Sequence, residues 1–197
     1  MKVVIIKYNA GNIRSVLFAL ERIGVNAIVT DDYEEIRSAD RVIFPGVGEA
    51  SSAMKYLREK GLDTLICSLT QPVLGICLGM QLMCAFSEEN NTDCLGIFDQ
   101  QVKLFPQDGY KIPQIGWNNI THLKSDLFLN VDESAYMYFV HSYYVEKCEN
   151  AIAITNYISE YSSAVHKNNF YAVQFHPEKS GEAGQKILEN FIFNIKD

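Results

Sequence analysis

The sequence has few of the features that mark metal-binding, nucleotide-binding or nucleic-acid-binding proteins. Its five cysteines form no C-x-x-C pair, and their odd number argues against both a disulfide framework and a zinc site. There is no G-K-[ST] sequence for a P-loop, and Ser51 stands where a G-x-G-x-x-G motif requires its third glycine. A net charge of −7, without a lysine- or arginine-rich cluster, disfavours nucleic-acid binding. We expect no metal and no cofactor.

Long apolar runs, linkers and internal repeats are also lacking. The opening segment, residues 1–7, is too short for a signal peptide or a membrane span and is typical of a first buried strand. With 197 residues, 48% of them hydrophobic and 21% charged, the chain is long enough to bury a sizeable core. We expect one domain over residues 1–197, in the reducing cytoplasm and without a membrane partner.

The apolar pattern alternates between strands and helices in the first half and predicts mainly strands after residue 100. Predicted strands cover residues 2–7, 26–30, 41–44, 72–76, 101–105, 117–121, 135–140, 151–157, 163–166 and 170–175. Predicted helices run from the capping residue Asn12 to Ile23, with Gly24 as the stop, and cover residues 50–59, 62–70 and 184–195, with another starting near Met80. We expect an α/β fold: an open, mostly parallel sheet with helices on both faces and antiparallel additions.

The most informative local pattern is Gly75-Ile76-Cys77-Leu78-Gly79, which lies between a predicted strand and a predicted helix. The two glycines flank Cys77 as they flank the serine of a nucleophile elbow, where missing side chains let neighbouring backbone approach. A thiol at the start of a helix meets the positive end of the helix dipole, which favours the thiolate. The alternative is that Cys77 is an inert, packed cysteine.

A base for such a thiol is offered by Phe175-His176-Pro177-Glu178, about a hundred residues later. His176 and Glu178 follow a predicted strand, and their i, i+2 spacing lets both side chains point to one side. Glu178 can then orient His176 while His176 exchanges a proton with Cys77. Taken alone, a histidine at a strand end is more often a structural residue. The joint occurrence favours a Cys-His-Glu catalytic triad.

A third pattern, Pro45-Gly46-Val47-Gly48, also falls at the end of a predicted strand. Ligands of open α/β sheets bind beyond the carboxyl ends of the strands, so this segment and the triad are expected to converge. The N–H groups of Gly46, Val47 and Gly48, with the N–H of Leu78, can then hold an oxyanion. The alternative is a tight turn without a ligand, because Gly-x-Gly alone is weak.

Together these patterns resemble the class I, or triad-type, glutamine amidotransferases over essentially the whole chain. Within that family, several segments are similar to the glutaminase subunits of imidazole glycerol phosphate synthases. These segments are Pro45-Gly46-Val47-Gly48, Pro113-Gln114-Ile115-Gly116-Trp117-Asn118, Phe139-Val140-His141-Ser142-Tyr143-Tyr144 and His176-Pro177-Glu178-Lys179-Ser180-Gly181. The resemblance implies a flavodoxin-like fold and hydrolysis of L-glutamine to glutamate and ammonia, with Cys77, His176 and Glu178 as the triad.

The resemblance also implies residues that hold the glutamine α-amino and α-carboxylate groups. These are Gln81, Glu89 and the backbone of His141, Ser142 and Tyr143. Gln81 lies four residues after Cys77 and so near it on the first helical turn. A packed core histidine is the alternative for His141, and a solvated loop charge is the alternative for Glu89.

No sequence pattern for binding an ammonia acceptor is found, so the acceptor site is expected on another polypeptide. The resemblance implies that this partner is a (β/α)₈-barrel cyclase of histidine biosynthesis, which forms a heterodimer with the glutaminase and makes imidazole glycerol phosphate and AICAR. Residues 8–12, including Tyr8 and Asn12, are expected on the side of the partner. So are Trp117, Asn118, Tyr138 and Lys179. Core packing is the alternative for Trp117.

Two segments depart from the family pattern. Lys7-Tyr8-Asn9 replaces the usual aspartate-tyrosine-glycine opening, and the stretch at Cys84 is less acidic than usual. Both departures concern surface or partner contacts, so a paralogue that supplies ammonia to a surface- or flagellar-sugar amidating synthase stays open. A non-catalytic binding subunit and a cysteine peptidase are further alternatives.

Overall fold

The computed structural model describes residues 1–9 and 12–196, so part of the predicted partner segment 8–12 lies outside the described residues. The strands are β1 (Val3–Ile6), β2 (Ile28–Thr30), β3 (Arg41–Gly46), β4 (Val73–Cys77), β5 (Phe86–Ser87), β6 (Thr92–Asp93), β7 (Gln101–Leu104), β8 (Gln114–Asn119), β9 (Tyr136–His141), β10 (Tyr143–Glu146), β11 (Ala151–Asn156), β12 (Glu160–Lys167) and β13 (Phe170–Val173). The α-helices are α1 (Ile13–Arg22), α2 (Tyr33–Arg37), α3 (Ala50–Glu59), α4 (Leu62–Ser68), α5 (Leu78–Met83) and α6 (Gly181–Glu189). Short 3₁₀ turns cover Asp126–Phe128 and Pro177–Lys179, and a π-helical turn, Asn190–Asn194, follows α6.

In the described part of the chain, eleven strands form the main sheet, in the order β2-β1-β3-β4-β13-β12-β10-β7-β5-β6 with β11 paired to β12. The first five strands in this order, β2, β1, β3, β4 and β13, are parallel to one another. The next strands are antiparallel additions, except that β5 runs parallel to β7. A separate hairpin pairs β8 with β9. Because β3, β4 and β13 are parallel, the segments that follow them meet at one edge of the sheet.

Alternate residues of β1 face two different layers of the core. Val3 and Ile5 pack in a cluster with apolar residues of α1 and α6. Val4 and Ile6 pack in a second cluster with apolar residues of α3 and α4. All four side chains are buried, which explains why this strand is continuously hydrophobic, as expected of a parallel strand covered on both faces. The expected α/β architecture with helices on both faces is therefore confirmed.

Most predicted elements are present, with differences at short or terminal segments. Helix α3 has the predicted bounds, whereas β3 extends to Gly46 and the last predicted helix begins three residues earlier and ends in the π-helical turn. The sequence pattern does not predict α2, β5, β6 and β10. These elements have two to five residues each, which is too short for a hydrophobic period to be recognised. None of the helices among the described residues has the length and apolar character needed to cross a bilayer.

Candidate active site

Cys77 lies on a strained turn between a strand and a helix. It is the last residue of β4 and the residue directly before α5, with φ of 53° and ψ of −107°. Such a backbone conformation is rare for a residue with a side chain and costs on the order of 1–3 kcal/mol. Gly46, the last residue of β3, is the register partner of Cys77. The turn therefore presents Cys77 beside the Gly46 to Gly48 segment, as an elbow does.

His176 and Glu178 lie together just after β13, and both are buried. The Nδ1 atom of His176 is 2.8 Å from Oε1 of Glu178. Two backbone bonds fix this segment, because the His176 N–H donates to the carbonyl of Tyr138 at 2.9 Å and the His176 carbonyl accepts from the Ser180 hydroxyl at 2.6 Å. A histidine ring held in this way by a carboxylate has a fixed orientation and a fixed tautomer.

The other ring nitrogen of His176 is on the side of the Cys77 sulfur. This atom, Nε2, is buried without a hydrogen-bond partner of regular geometry among the described residues. Burial alone lowers the pKa of His176, but the nearby Cys77 sulfur and Glu178 carboxylate outweigh burial and raise the pKa well above its usual value. The imidazolium is therefore favoured when the sulfur is a thiolate, which is the charge distribution of an activated cysteine–histidine pair.

The side chain of Asn12 contacts the triad and does not serve as the predicted helix cap. It occupies the residue before α1, but its side chain does not cap that helix. Its Nδ2 atom instead donates to Oε1 of Glu178 at 2.6 Å, the same oxygen that meets His176. The backbone of Asn12 is left-handed, with φ of 72°, a conformation that asparagine tolerates better than most residues. Asn12 thus orients the carboxylate that orients His176.

Removing this donor should weaken the glutamine hydrolysis that the sequence resemblance implies for this chain. Asn12→Gly keeps a residue that accepts a positive φ, so we expect about a tenfold loss of kcat from the missing hydrogen bond to a charged group. Asn12→Asp should lose more, because a second carboxylate would then face Glu178. Steady-state glutamate release by both variants measures the effect. Activity of Asn12→Asp equal to that of the unmodified chain would contradict this assignment.

A cavity of about 320 Å³ opens onto Cys77, and Pro113 and Val140 complete its wall. Nearly all the residues predicted to form the oxyanion loop or to hold glutamine line it. These are Val47, Gly48, Leu78, Gln81, Glu89, His141, Ser142 and Tyr143. Gly46 is not among the lining residues, although it is the register partner of Cys77, which lines the cavity. The sequence patterns do not indicate Pro113 or Val140 as part of the site, although the Val140 carbonyl lies 3.9 Å from the Cys77 sulfur.

A hydrogen bond from Tyr8 fixes the end of β3, where the loop begins. The Tyr8 side chain is buried, and its hydroxyl donates to the carbonyl of Pro45 at 2.6 Å. Burial, with the nearby Cys77 sulfur as a smaller cause, raises the pKa of Tyr8, so the phenol stays neutral and remains a donor. Gly48 has φ of +126°, which only glycine adopts without strain. The loop therefore begins at a fixed carbonyl and contains a position that requires glycine.

Glu89 and Gln81 are tied to the protein while they line the cavity. The Oε2 atom of Glu89 accepts from the N–H of Ala50 at 2.7 Å, at the start of α3, so this carboxylate is not a solvated loop charge. Burial raises the pKa of Glu89, and the Ala50 N–H only partly offsets it. The Nε2 atom of Gln81 lies 3.0 Å from the carbonyl of Tyr143.

The side chain of His141 is a satisfied core residue. Its Nδ1 atom lies 2.8 Å from the carbonyl of Tyr143, and Nε2 lies 3.3 Å from the hydroxyl of Tyr161. Burial lowers the pKa of His141 to about 4, against a smaller effect of the Tyr143 carbonyl, so the ring is neutral near pH 7. The Tyr143 carbonyl already accepts from both His141 and Gln81, so both of its lone pairs are used.

The six residues predicted on the partner side divide into three groups. Trp117 is 56% exposed, so the core-packing alternative is wrong for it, and it contacts Tyr138 across the β8–β9 hairpin. Lys179 places Nζ 5.8 Å from the centre of the Tyr138 ring. Asn118 points away from these residues, because neighbours on a strand alternate in direction, and it donates to the Asn156 carbonyl at 2.9 Å. Tyr8 and Asn12 are turned to the site, as described above.

Comparison with known protein families identifies the class of the chain. The model of the class I glutamine amidotransferases matches residues 4–195. The chain therefore belongs to the class I glutamine amidotransferases. Two solved structures support the fold: one titled glutamine amidotransferase has a TM-score of 0.74 at 18% identity, covering 95% of this chain and 98% of its own. PurLQS from Thermotoga maritima has a TM-score of 0.69 at 17% identity, covering 97% of each chain.

More similar relatives carry a more specific name. A protein of Bacteroides fragilis, the imidazole glycerol phosphate synthase subunit HisH, is 61% identical over 194 residues, which cover 98% of this chain and 99% of the relative. A protein of the same name from Bacteroides thetaiotaomicron is 56% identical with the same coverage. Another, from Haemophilus influenzae, is 46% identical over 196 residues, which cover 99% of this chain and 98% of the relative.

Proposed function

We propose that this chain is the glutaminase subunit of an imidazole glycerol phosphate synthase, which hydrolyses L-glutamine and passes the ammonia to a cyclase partner in histidine biosynthesis. One observation supports the glutaminase activity above all others. Cys77 lies on an elbow that faces a cavity, and a buried His176–Glu178 pair, with Nδ1 and Oε1 2.8 Å apart, lies behind it. The shared name of relatives that are 46% to 61% identical supports the histidine pathway. The expected location is the cytoplasm.

In the proposed reaction the Cys77 thiolate attacks the side-chain carbonyl carbon of glutamine. The N–H groups of the Gly46 to Gly48 segment and of Leu78 stabilise the resulting oxyanion, and each such donor is worth about 3–4 kcal/mol. His176 protonates the leaving nitrogen, so ammonia departs and a thioester to Cys77 remains. Water, deprotonated by His176, then attacks the thioester and releases glutamate and the Cys77 thiolate. Glu178 stabilises the imidazolium through both proton transfers.

The cavity wall supports a pocket for a small amino acid. Glu89 and the side-chain oxygen of Gln81 supply acceptors suited to an α-amino group, and the backbone N–H groups from His141 to Tyr143 supply donors suited to an α-carboxylate. A cavity of about 320 Å³ fits a free amino acid better than a polypeptide, which weighs against the peptidase alternative. The filled triad positions weigh against the non-catalytic alternative.

The outer face of the β8–β9 hairpin is the surface that we propose for the partner. Ile115 and Trp117 on β8 and Tyr136 on β9 are each more than half exposed, although exposed apolar groups of this size are usually covered in an assembly. Tyr138 joins this face to the site, because its side chain contacts Trp117 while its carbonyl accepts the N–H of His176. Partner contact at this face can therefore act on the triad segment directly.

The test is glutamate release from glutamine, measured with and without the cyclase of histidine biosynthesis and its nucleotide ligand. We expect strong stimulation by the liganded cyclase. We also expect Trp117→Ala to raise the cyclase concentration needed for half-maximal stimulation by about tenfold or more, because aromatic residues at the centre of an interface often contribute 2 kcal/mol or more.

Phe193→Ala is the matched control for that variant. Phe193 is 54% exposed, like Trp117, but the turn that carries it ends near Arg41, which starts β3 at the opposite end of the parallel strands. It should respond to the cyclase as the unmodified chain does. Glutamine turnover that ignores this cyclase would instead favour the synthase of a surface or flagellar sugar as the partner.

A further inference from the structure

Gln174 is a buried polar residue beside the nucleophile that the triad scheme does not use. It follows β13, two residues before His176, and none of its surface is exposed. Its Nε2 atom is 3.7 Å from the sulfur of Cys77, which is within hydrogen-bonding range for sulfur. Its Oε1 atom lies 3.0 Å from Nε2 of Gln81. The side chain therefore lies between the nucleophile and a residue of the glutamine pocket.

The hydrogen-bond chain fixes which end of the Gln174 amide faces the sulfur. The carbonyl of Tyr143 can only accept, so the group of Gln81 that meets it must be the NH₂ group. The same NH₂ group has a second hydrogen, which requires an oxygen on Gln174. The NH₂ group of Gln174 is then the one directed at Cys77. An amide orientation that is ambiguous from shape alone is thus determined by its partners.

We propose that Gln174 is a hydrogen-bond donor to the Cys77 thiolate and that Gln81 and the Tyr143 carbonyl hold it in this orientation. The inference rests on the proposed role of Cys77 as the nucleophile. An N–H donor interacts more strongly with an ionised acceptor than with a neutral one, so this contact favours the thiolate over the thiol. The Val140 carbonyl, 3.9 Å from the sulfur, can serve only the thiol, because a carbonyl oxygen accepts and cannot donate.

The same series of hydrogen bonds links the substrate pocket to the Cys77 sulfur. Gln81 and Tyr143 line the cavity, and Gln174 transmits their position to the sulfur without contacting the cavity itself. Among the described residues, the titratable groups that face the sulfur or its cavity are His176 with Glu178, Tyr8 beneath the loop after β3, and Glu89, His141 and Tyr143 on the cavity wall. Gln174 is uncharged at every pH, so its contribution does not depend on its own titration.

The test is the pH dependence of Cys77 alkylation by iodoacetamide in the whole chain, without glutamine. Mass spectrometry of the Cys77 peptide gives the rate at this residue, and exposed Cys67 in the same molecule serves as the internal reference. We expect Gln174→Met, which has a similar shape but no donor, to move the pH of half-maximal Cys77 alkylation up by about one unit, so that alkylation well below that pH is about tenfold slower. The Cys67 rate should not change.

Ser163→Ala is the matched control, because Ser163 is as buried as Gln174, its carbonyl accepts the Gln174 N–H on the neighbouring strand, and its hydroxyl has no hydrogen-bond partner among the described residues. Its alkylation profile should equal that of the unmodified chain. If Gln174→Met does not fold, Gln174→Asn, which keeps an amide but draws it back from the sulfur, should show a smaller shift in the same direction.

An unchanged alkylation profile in a folded Gln174 variant would overturn the inference. The proposed function would then still stand if glutamine hydrolysis required Cys77. Glutamine hydrolysis that survives the loss of Cys77 would overturn the proposed function instead, whatever the alkylation profile showed.

Discussion

Replacing Cys77 by alanine should abolish glutamate release from glutamine, both by the chain alone and in the presence of the cyclase. Because the reaction is proposed to pass through a thioester to this sulfur, no other group can substitute for it in the same geometry. Loss of a nucleophile in an enzyme of this kind lowers kcat by about 10⁴-fold or more. The measurement is glutamate production at saturating glutamine, with calorimetry to show that the variant still binds glutamine in the cavity.

Cys67→Ala is the control for that experiment. Cys67 is exposed, and its sulfur donates to the carbonyl of Leu95 at 3.5 Å, so removing it should leave turnover within about twofold of the original. If Cys77→Ala kept more than about one hundredth of the activity, the thioester route would be wrong.

The elbow at Cys77 was predictable because its determinants are local. Gly75, Gly79 and the change from a buried strand to a helical pattern lie within a few residues, and the structure has the predicted strand-turn-helix there. Local sequence patterns of this kind report backbone conformation directly. The conformation that the turn imposes on Cys77, with positive φ, could not be inferred from the identity of cysteine, which rarely adopts it.

The contacts of Asn12 and Gln174 could not be predicted from the sequence, for the opposite reason. Asn12 meets Glu178 across 166 residues of chain, and Gln174 meets Cys77 across 97. An asparagine directly before a helix is explained by helix capping alone, so the sequence gives no reason to expect a contact with Glu178. Gln174 lay inside the motif that marks the triad, but side chains on a strand alternate between two faces, and the sequence does not show what each face meets.

Trp117 shows the limit of composition as a guide to burial. A single tryptophan in a chain of this length is expected in the core, yet this one is 56% exposed on β8. Its register partner Tyr138 and its neighbour Ile115 lie on the same outer face, so the exposure belongs to a surface and not to one residue. A lone residue count cannot reveal such a face, whereas the period-two pattern of a paired hairpin can.

Gly79 occupies a position where the packing leaves no room for a side chain. It lies in the first turn of α5, two residues after Cys77, and a Cβ atom there would collide with the backbone carbonyl of Phe44 on β3. A backbone atom in the centre of a sheet cannot move aside as a flexible side chain can. The close approach of α5 to β3 holds Cys77 beside the segment that begins at Gly46, and any side chain at residue 79 must force the two apart.

Gly79→Ala should therefore lower both stability and activity. Overpacking of a tight core contact costs about 1–3 kcal/mol of unfolding free energy, and a displacement of the nucleophile by about 1 Å lowers kcat on the order of 10²-fold. Urea unfolding and glutamate release measure the two effects. Gly24→Ala is the control, because Gly24 follows α1 with φ of +79° and open space around it: it should lose about 1 kcal/mol of stability with glutaminase activity unchanged. Full activity of Gly79→Ala would show that the distance between α5 and β3 does not set the position of Cys77.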